Sequence, residues 1–478
     1  MTQTSSPDFK TRIDRALNNA NLQIALDRNT DRRVLGRNRS FDQLRQADDV
    51  RDTGRAIRLE TLAHLDRYLE QFEANVQRAG GQVHWAVDGA EACRLVLELA
   101  RASAGKQASA EGLLVAKAKS MVSEEVELNH ALEQAGMRAV ETDLGEFIVQ
   151  LRHERPSHIV GPAVHLRRED VSDLFAKHFG MTPTHDVEEM TAVARGELRR
   201  VFFGAHVGVS GVNFGVAETG TLSIVSNEGN ARLCTTLPRV HIALMGIERL
   251  VPTLADLEVM LRLLPRSATS QKLSSYFSML TGPRRAEEPD GPEELHVILV
   301  DNGRARTLGT ELAESLACIR CGACLNICPV YGEIGGHAYN STYSGPIGAV
   351  VSTALFGTEF SELANASTLC GACRDICPVR IDIPRMLLAV RHQHVEAQLP
   401  PAWLRWGMPV WGWVMASPWR YRTAQRLASI ATRLLAREGR LRALPPPLNA
   451  WTKRRDFPAF AGRSFRARRR AKSGKSGK

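Results

Sequence analysis

The chain has 478 residues, enough for about three domains, and 44% of them are hydrophobic, which excludes a mostly disordered protein. Its formal net charge of +10 would suit a nucleic-acid binder, but eleven Lys and Arg against the single acid Asp456 lie between Trp451 and Lys478. That tail holds the whole excess, so no specific nucleic-acid contact is expected.

The opening MTQTSSPDFKTRIDRALNNANLQ lacks the apolar run of a secretory signal. Arg32-Arg33 has no apolar run behind it either, and no stretch approaches the ~18 apolar residues of a membrane-spanning helix. The expected location is the cytoplasm, with peripheral contact at the inner face of the cell membrane left open.

Residues 1–55 are polar and read as a flexible or helical arm. Residues 56–79 carry Leu59, Leu62, Leu65, Leu69, Phe72 and Val76 at helical spacing, and Gly80-Gly81 ends that helix. VHWAV (83–87) reads as a strand, GAEACRLVLELARASAG as a helix and GLLVAKAK (112–119) as a strand. The alternation continues to a last strand in HVILVDNGRAR. This pattern predicts an α/β domain over 56–304 with a largely parallel sheet. Residues 305–395 change texture to Cys, Gly and Pro with short helices. Residues 396–450 are Trp-rich and helical, and 451–478 form a basic tail expected to be disordered.

Seven of the nine cysteines lie between Cys318 and Cys377. Cys93 and Cys234 sit in apolar contexts and read as small buried hydrophobes. The first run, CIRCGACLNICP, spaces Cys318, Cys321, Cys324 and Cys328 as bacterial two-cluster ferredoxins do. Short loops wrap three thiolates around one face of a cubane, and Gly322 lets the backbone come close. Pro329 redirects the chain after the fourth cysteine. The second run, STLCGACRDICP, has Cys370, Cys373 and Cys377, with Ser367 where a leading cysteine would stand. Crossed ligation then assigns Cys318, Cys321, Cys324 and Cys377 to cluster one. Cluster two takes Cys328, Cys370 and Cys373. Its fourth position falls to Ser367, another side chain or water, or it is lost to leave a three-iron cluster. Two C-x2-C pairs can also bind zinc, but the repeated x3-Cys-Pro favours two iron-sulfur clusters, [4Fe-4S] in type with the second alternatively [3Fe-4S]. No acid/base constellation stands beside the cysteines, so the expected role is one-electron transfer rather than catalysis at an open iron.

At this point the chain resembles a known family. CIRCGACLNICPVYGEIGGHAY, YSGPIGAV and STLCGACRDICPV are similar to the lactate utilization protein B family. AKSMVSEEVELN, ETDLGEFIVQL, PSHIVGPAVH and AETGTLSIVSNEGNARLCTTLPRVHIALMGIERLV resemble its LUD domain. The resemblance implies a LUD domain with a fold similar to ribose-5-phosphate isomerases and CoA transferases, then an α-helical ferredoxin-like two-cluster module and a helical Trp-rich segment. It also implies an electron-transfer subunit in the oxidation of L-lactate to pyruvate, an L-lactate dehydrogenase complex passing electrons to a respiratory acceptor. The implied partners are a cysteine-rich-domain protein and a stand-alone LUD protein. The missing leading cysteine is a feature of the family.

Other residues are weaker candidates. Gly208, Gly211, Gly215 and Gly220, with Asn227, Glu228 and Asn230, could form a ligand pocket or simply make tight turns. Lys117, Lys119 and Ser120 are candidates to bind a carboxylate or phosphate, and Glu141, Asp143 and Glu146 to act as acid/base groups. His337 could ligate or tune cluster two, or serve a turn. Two rival functions follow: a LUD domain that itself binds the hydroxy acid or a CoA or phosphate ligand, and an oxidant-sensing regulator. WLRWGMPVWGWVMASPWRY (403–421), interrupted by Pro409 and Pro418, suits a membrane surface or a partner protein.

Overall fold

Hydrophobic runs in the middle of the chain serve two cores at once. A computed structural model, which describes residues 8–103, 112–154, 161–163, 166–446, 448–453 and 455–473, places Ile242 and Leu244 in one apolar layer and Ala243 and Met245 in another. Ile298 and Val300 divide from Val297 and Leu299 in the same way. Side chains alternate across a strand, so a strand covered on both faces reads as unbroken Val, Ile and Leu.

The order begins with α1 (Phe9–Leu17), α2 (Ala20–Asp42), α3 (Ala47–Ala63), α4 (Leu65–Arg78), β1 (Gln82–Ala86) and α5 (Gly89–Ser103). Next come β2 (Leu114–Lys117), α6 (Met121–Glu125), α7 (Leu128–Gln134), β3 (Arg138–Glu141), α8 (Leu144–Leu151), α9 (Arg168–Phe179) and α10 (Val187–Gly204). They are followed by β4 (Val207–Gly211), β5 (Phe214–Val216), β6 (Thr221–Ser226), α11 (Asn230–Thr236), β7 (Val240–Gly246), β8 (Leu250–Val251), α12 (Leu254–Thr269), β9 (Tyr276–Leu280) and β10 (Glu294–Val300). The six-stranded sheet runs β1-β10-β7-β4-β2-β3 with every pair parallel. A second sheet runs β8-β5-β6-β9. The α/β expectation holds.

Beyond the sheets, the cysteine-rich part is built from α13 (Arg304–Leu308), α14 (Ala323–Asn326), α15 (Pro329–Ile334), α16 (Gly345–Phe356), α17 (Ala372–Ile376) and α18 (Ile383–Glu396). Residues Met1–Gln393 make one compact unit and His394–Lys478 a second. The second unit contains α19 (Ala402–Met415), α20 (Pro418–Leu435), α21 (Asn449–Thr452) and α22 (Phe465–Ser473).

Expectations change at several points. Of the two states expected for the N-terminal stretch, flexible or helical, the described residues take the helical one, and they are packed. Phe9, Phe41, Leu44, Val50 and Ile57 share one core with Cys321, Cys324, Cys373 and Cys377. The helix expected over 56–79 is two helices, broken at His64 with φ −127° and ψ 38°. Leu62 packs with the cysteine core and Leu65, Leu69, Phe72 and Val76 with the sheet, while Leu59 is exposed. The break lets one run of leucines serve two cores. Finally, the basic tail is helical over Phe465–Ser473, and Phe457–Pro458 pairs antiparallel with Arg440–Leu441. Phe457 stands edge-on to both Trp451 and Phe460, an apolar anchor hidden among the basic residues. Pro409 does not interrupt α19, and Pro418 opens α20 at its first turn, where a missing N–H costs nothing. Residues 474–478 and most of PSHIVGPAVH lie outside the described residues.

Candidate metal centre

Both cysteine runs fold by the same local device. Gly322 and Gly371, at φ +75° and +88°, cap the short helices α14 and α17, a left-handed conformation that favours glycine. Each helix then carries one cysteine inside and ends toward the next, Cys324 toward Cys328 and Cys373 toward Cys377. Cys328 caps α15, with Pro329 in the first turn.

These turns bring Cys318, Cys321, Cys324 and Cys377 around one cavity, closed by Ile319, Ile347, Val379 and Ile381 and containing no carboxylate. The N–H of Arg320 donates to Cys318 Sγ at 3.4 Å, and that of Ile381 to Cys377 Sγ at 3.4 Å. Burial, then the neighbouring Cys318 and Cys377, pushes the Cys321 thiol up to about 12. Burial and the other sulfurs raise Cys324 well above its ordinary range, and burial takes Cys377 to about 11. Thiols raised in this way ionise together only if a cation replaces their protons. Among the described residues, no three His, Cys, Asp or Glu side chains converge as a single metal ion requires. Four sulfurs spread around a cavity, with backbone N–H groups aimed at them, fit a polynuclear iron-sulfur group better than a zinc ion.

The remaining three cysteines form a second group. Cys328 and Cys373 are buried and Cys370 is exposed. Burial, then the neighbouring Cys370, raises the Cys328 thiol, and burial, then Cys328, takes Cys373 to about 12. Cys370 is lowered instead, by the N–H of Ala372 and then by Thr368. Ser367 Oγ accepts from the N–H of Leu369 at 3.1 Å, and its carbonyl accepts from Arg391 at 2.8 Å, so the structure gives Ser367 a turn-forming role. His337 lies exposed in a short 3-10 turn.

Sequence reading missed what surrounds the first group. Arg37 of α2 donates to Ile376 O at 2.7 Å, and Arg51 of α3 to Cys377 O at 2.9 Å. Arg58 is fully buried and donates to Leu250 O at 2.6 Å and Leu316 O at 3.0 Å. Arg249 donates to Cys318 O at 3.0 Å. Burial pulls Arg37 and Arg58 down to about 10, which leaves both charged at neutral pH. Arginines in a polar N-terminal stretch look like surface residues; only their carbonyl partners, far along the chain, reveal the clamp.

A buried ion network joins this centre to the sheet domain. Arg304 bonds Glu125 through two nitrogens, each at 2.8 Å, and Glu248 at 2.6 Å. Tyr343 donates to Glu125, and Arg320 lies 4.2 Å over the Tyr343 ring. Burial resists ionisation of Glu248, but Arg304, Arg249 and Arg320 outweigh it and bring its carboxyl down to about 2.

The sheet-domain candidates assemble only in part. Lys117, at the end of β2, pairs with Glu141 at the end of β3 at 2.7 Å and donates to Ser123 at 2.8 Å. Its charge is therefore met within the protein, and it lies among acids. Burial pushes Glu124 up to about 7, and burial with Glu141 and Glu124 raises Glu146 well above the usual carboxylate range. An incoming anion finds no uncompensated cation at Lys117. Asp143 caps α8 through the N–H of Glu146, and Glu228 accepts from the N–H of Leu144 at 3.0 Å. Asn227 accepts from Ser275 and Asn230 from Ser226, so both hold turns. The glycines serve packing: a Cβ on Gly208 would lie 1.8 Å from Cys234 O, and Gly220, at φ +70°, lies directly against α4. Cys93 and Cys234 are buried as expected.

Comparison with known proteins fits this arrangement. A LUD domain model matches residues 69–300, a 4Fe-4S dicluster domain 314–381, and a model for the C-terminal part of lactate utilisation protein B 401–473. Lactate utilization protein B of Shouchella clausii is 41% identical over 97% of this chain and 96% of its own length. The proteins of that name from Bacillus licheniformis and Anoxybacillus flavithermus are 42% and 43% identical over 96% of the chain, covering 95% and 96% of their own lengths. A solved DUF162 family protein from Deinococcus radiodurans aligns with 49% of the chain and 98% of its own length at 15% identity, with a TM-score of 0.25 that supports no argument about fold.

Proposed function

Because this chain belongs to the lactate utilization protein B family, we propose that it is the iron-sulfur electron-transfer subunit of a cytoplasmic complex that oxidises L-lactate to pyruvate. The observation that carries this reading is the division of the seven thiols into two groups linked by short helices. Cys324 and Cys328 are four residues apart, ~6 Å at helical rise, and so are Cys373 and Cys377. The first group, Cys318, Cys321, Cys324 and Cys377, would hold one cluster. Cys328, Cys370 and Cys373 would hold the other, with its fourth position taken by a ligand other than the turn-bound Ser367. Such clusters supply one-electron storage and relay.

The protein's own residues supply the rest. The cavity lining keeps water from the first group, the N–H groups of Arg320 and Ile381 bond its sulfurs, and the arginine clamp holds the second run to α2 and α3 and the start of the first to Arg58 and Arg249. Electrons would enter from a lactate-oxidising partner and leave toward a respiratory acceptor. The companions would be a cysteine-rich-domain protein and a stand-alone LUD protein. Pairing of Lys117 with Glu141 weighs against the rival reading in which the LUD domain binds an anionic hydroxy acid.

Iron and sulfide analysis with EPR on anaerobically purified protein tests the cofactor assignment. Two cluster signals are expected, and zinc without sulfide would overturn it. Deleting the gene should impair growth on L-lactate, and Cys318→Ser should fail to restore it. Normal growth with that variant would sink the electron-transfer role.

A further inference from the structure

The C-terminal unit carries large apolar side chains that its own fold leaves exposed. None of the residues of α19 is buried, and Trp406 is 77% exposed. On α20, Trp419, Leu427, Ile430 and Leu434 recur at helical spacing, and Trp419 and Leu434 are 73% and 81% exposed. Opposite charge is nearly absent: residues 402–478 contain nineteen Lys and Arg and two acids, Glu438 and Asp456. Both acids already face arginines, Arg442 and Arg440. Arg422, Arg426 and Arg433 flank the apolar stripe of α20, three and four residues from its members. Arg420 lies 4.2 Å over the Trp413 ring and ties the two helices together.

We infer that α19 and α20 form an interfacial anchor for an anionic lipid surface. Their Trp and Leu side chains would enter the headgroup boundary while the arginines contact acidic headgroups. Two features favour lipid over a protein groove. The apolar side chains are large and aromatic, and the residues beside them are cationic almost without exception. An aromatic face with a basic flank is the composition of a helix that lies in the interface. Binding of this kind is independent of the electron-transfer reading and can fail or succeed without it.

The test is co-sedimentation of the full chain with vesicles of phosphatidylcholine alone and of equal parts phosphatidylcholine and phosphatidylglycerol. Binding to the second kind, with a blue shift in Trp emission and weakening at high salt, is expected. Arg422→Glu with Arg426→Glu should weaken binding at least about fivefold per site, and Trp419→Ser with Leu434→Ser should abolish the shift from that region. Circular dichroism checks that each variant is folded; should the serine pair unfold, the arginine pair decides. No binding to either vesicle, equal binding to both, or folded variants that bind as the parent does would each overturn the inference. So would an oligomer that the serine pair dissociates, since the surface would then be an interface between copies.

Discussion

The first group lies under Ile319 and Ile347, with Arg37 near Cys321 and Cys377 and with Arg58, Arg249 and Arg320 near Cys318, whereas Cys370 is exposed and has Asp375 as its charged neighbour. Cys328 borders a cleft whose other walls include Asp27, Asp31 and Glu333. The same sequence motif, used twice, has been placed in two electrostatic settings. The first is closed and rich in positive charge, the second open and acidic. A cluster gains negative charge on reduction, so the first setting should favour the reduced state and the second should oppose it. The open side is also where a partner protein can approach.

The largest expected effect tests whether the two groups are divided as the geometry has them. Cys377→Ala should remove the EPR signal of the first cluster and spare the second, and Cys328→Ala should do the reverse. If the runs bound their clusters in sequence order, these outcomes would be exchanged. Next in size is the network behind the closed setting. Arg304→Leu leaves Glu125 and Glu248 buried without their main partner and should lower stability by about 3–5 kcal/mol, read from urea unfolding. A change within error would mean that Arg249, Arg320 and Tyr343 suffice to hold those carboxylates.

A smaller effect addresses the contrast itself. Arg249→Gln removes one positive charge beside Cys318 while keeping a donor for its carbonyl. The midpoint potential of the first cluster should fall and that of the second should stay, measured by EPR-monitored redox titration. Equal shifts in both would show that the settings are not electrically separate.

Much of this was legible in the sequence, though unevenly. The strands of the sheet announced themselves through runs such as VHIALMG, and the cysteine spacing gave the division into two groups, because both are local patterns. The clamp was not legible. Arg37 and Arg51 meet the carbonyls of Ile376 and Cys377 more than three hundred residues away, and nothing near them in sequence marks them as interior. The motif puts Ser367 where a fourth ligand would stand, while its hydrogen bond from Leu369, two residues on, depends on backbone geometry that spacing does not carry. Lys117 and Glu141 were each singled out, but for separate roles. They meet because β2 and β3 are parallel neighbours in register, a fact of topology.

Charge compensation, the property that distinguishes the first setting, has a useful counterexample in the sheet domain. Glu248 is surrounded by arginines and is held ionised, down to about 2. Glu124 is half-buried, but Lys117 already serves Glu141, and loss of solvation lifts Glu124 from 4.5 to about 7. The folded protein therefore keeps a proton there that the unfolded chain releases above pH 4.5. Wild-type stability should fall relative to Glu124→Gln as pH rises from about 4.5 to about 7, and the difference should level off above that. Urea unfolding of both proteins across that range reads the slope directly. A flat difference would mean that Glu124 is ionised in the fold, and that Lys117 compensates two carboxylates as Arg304 does.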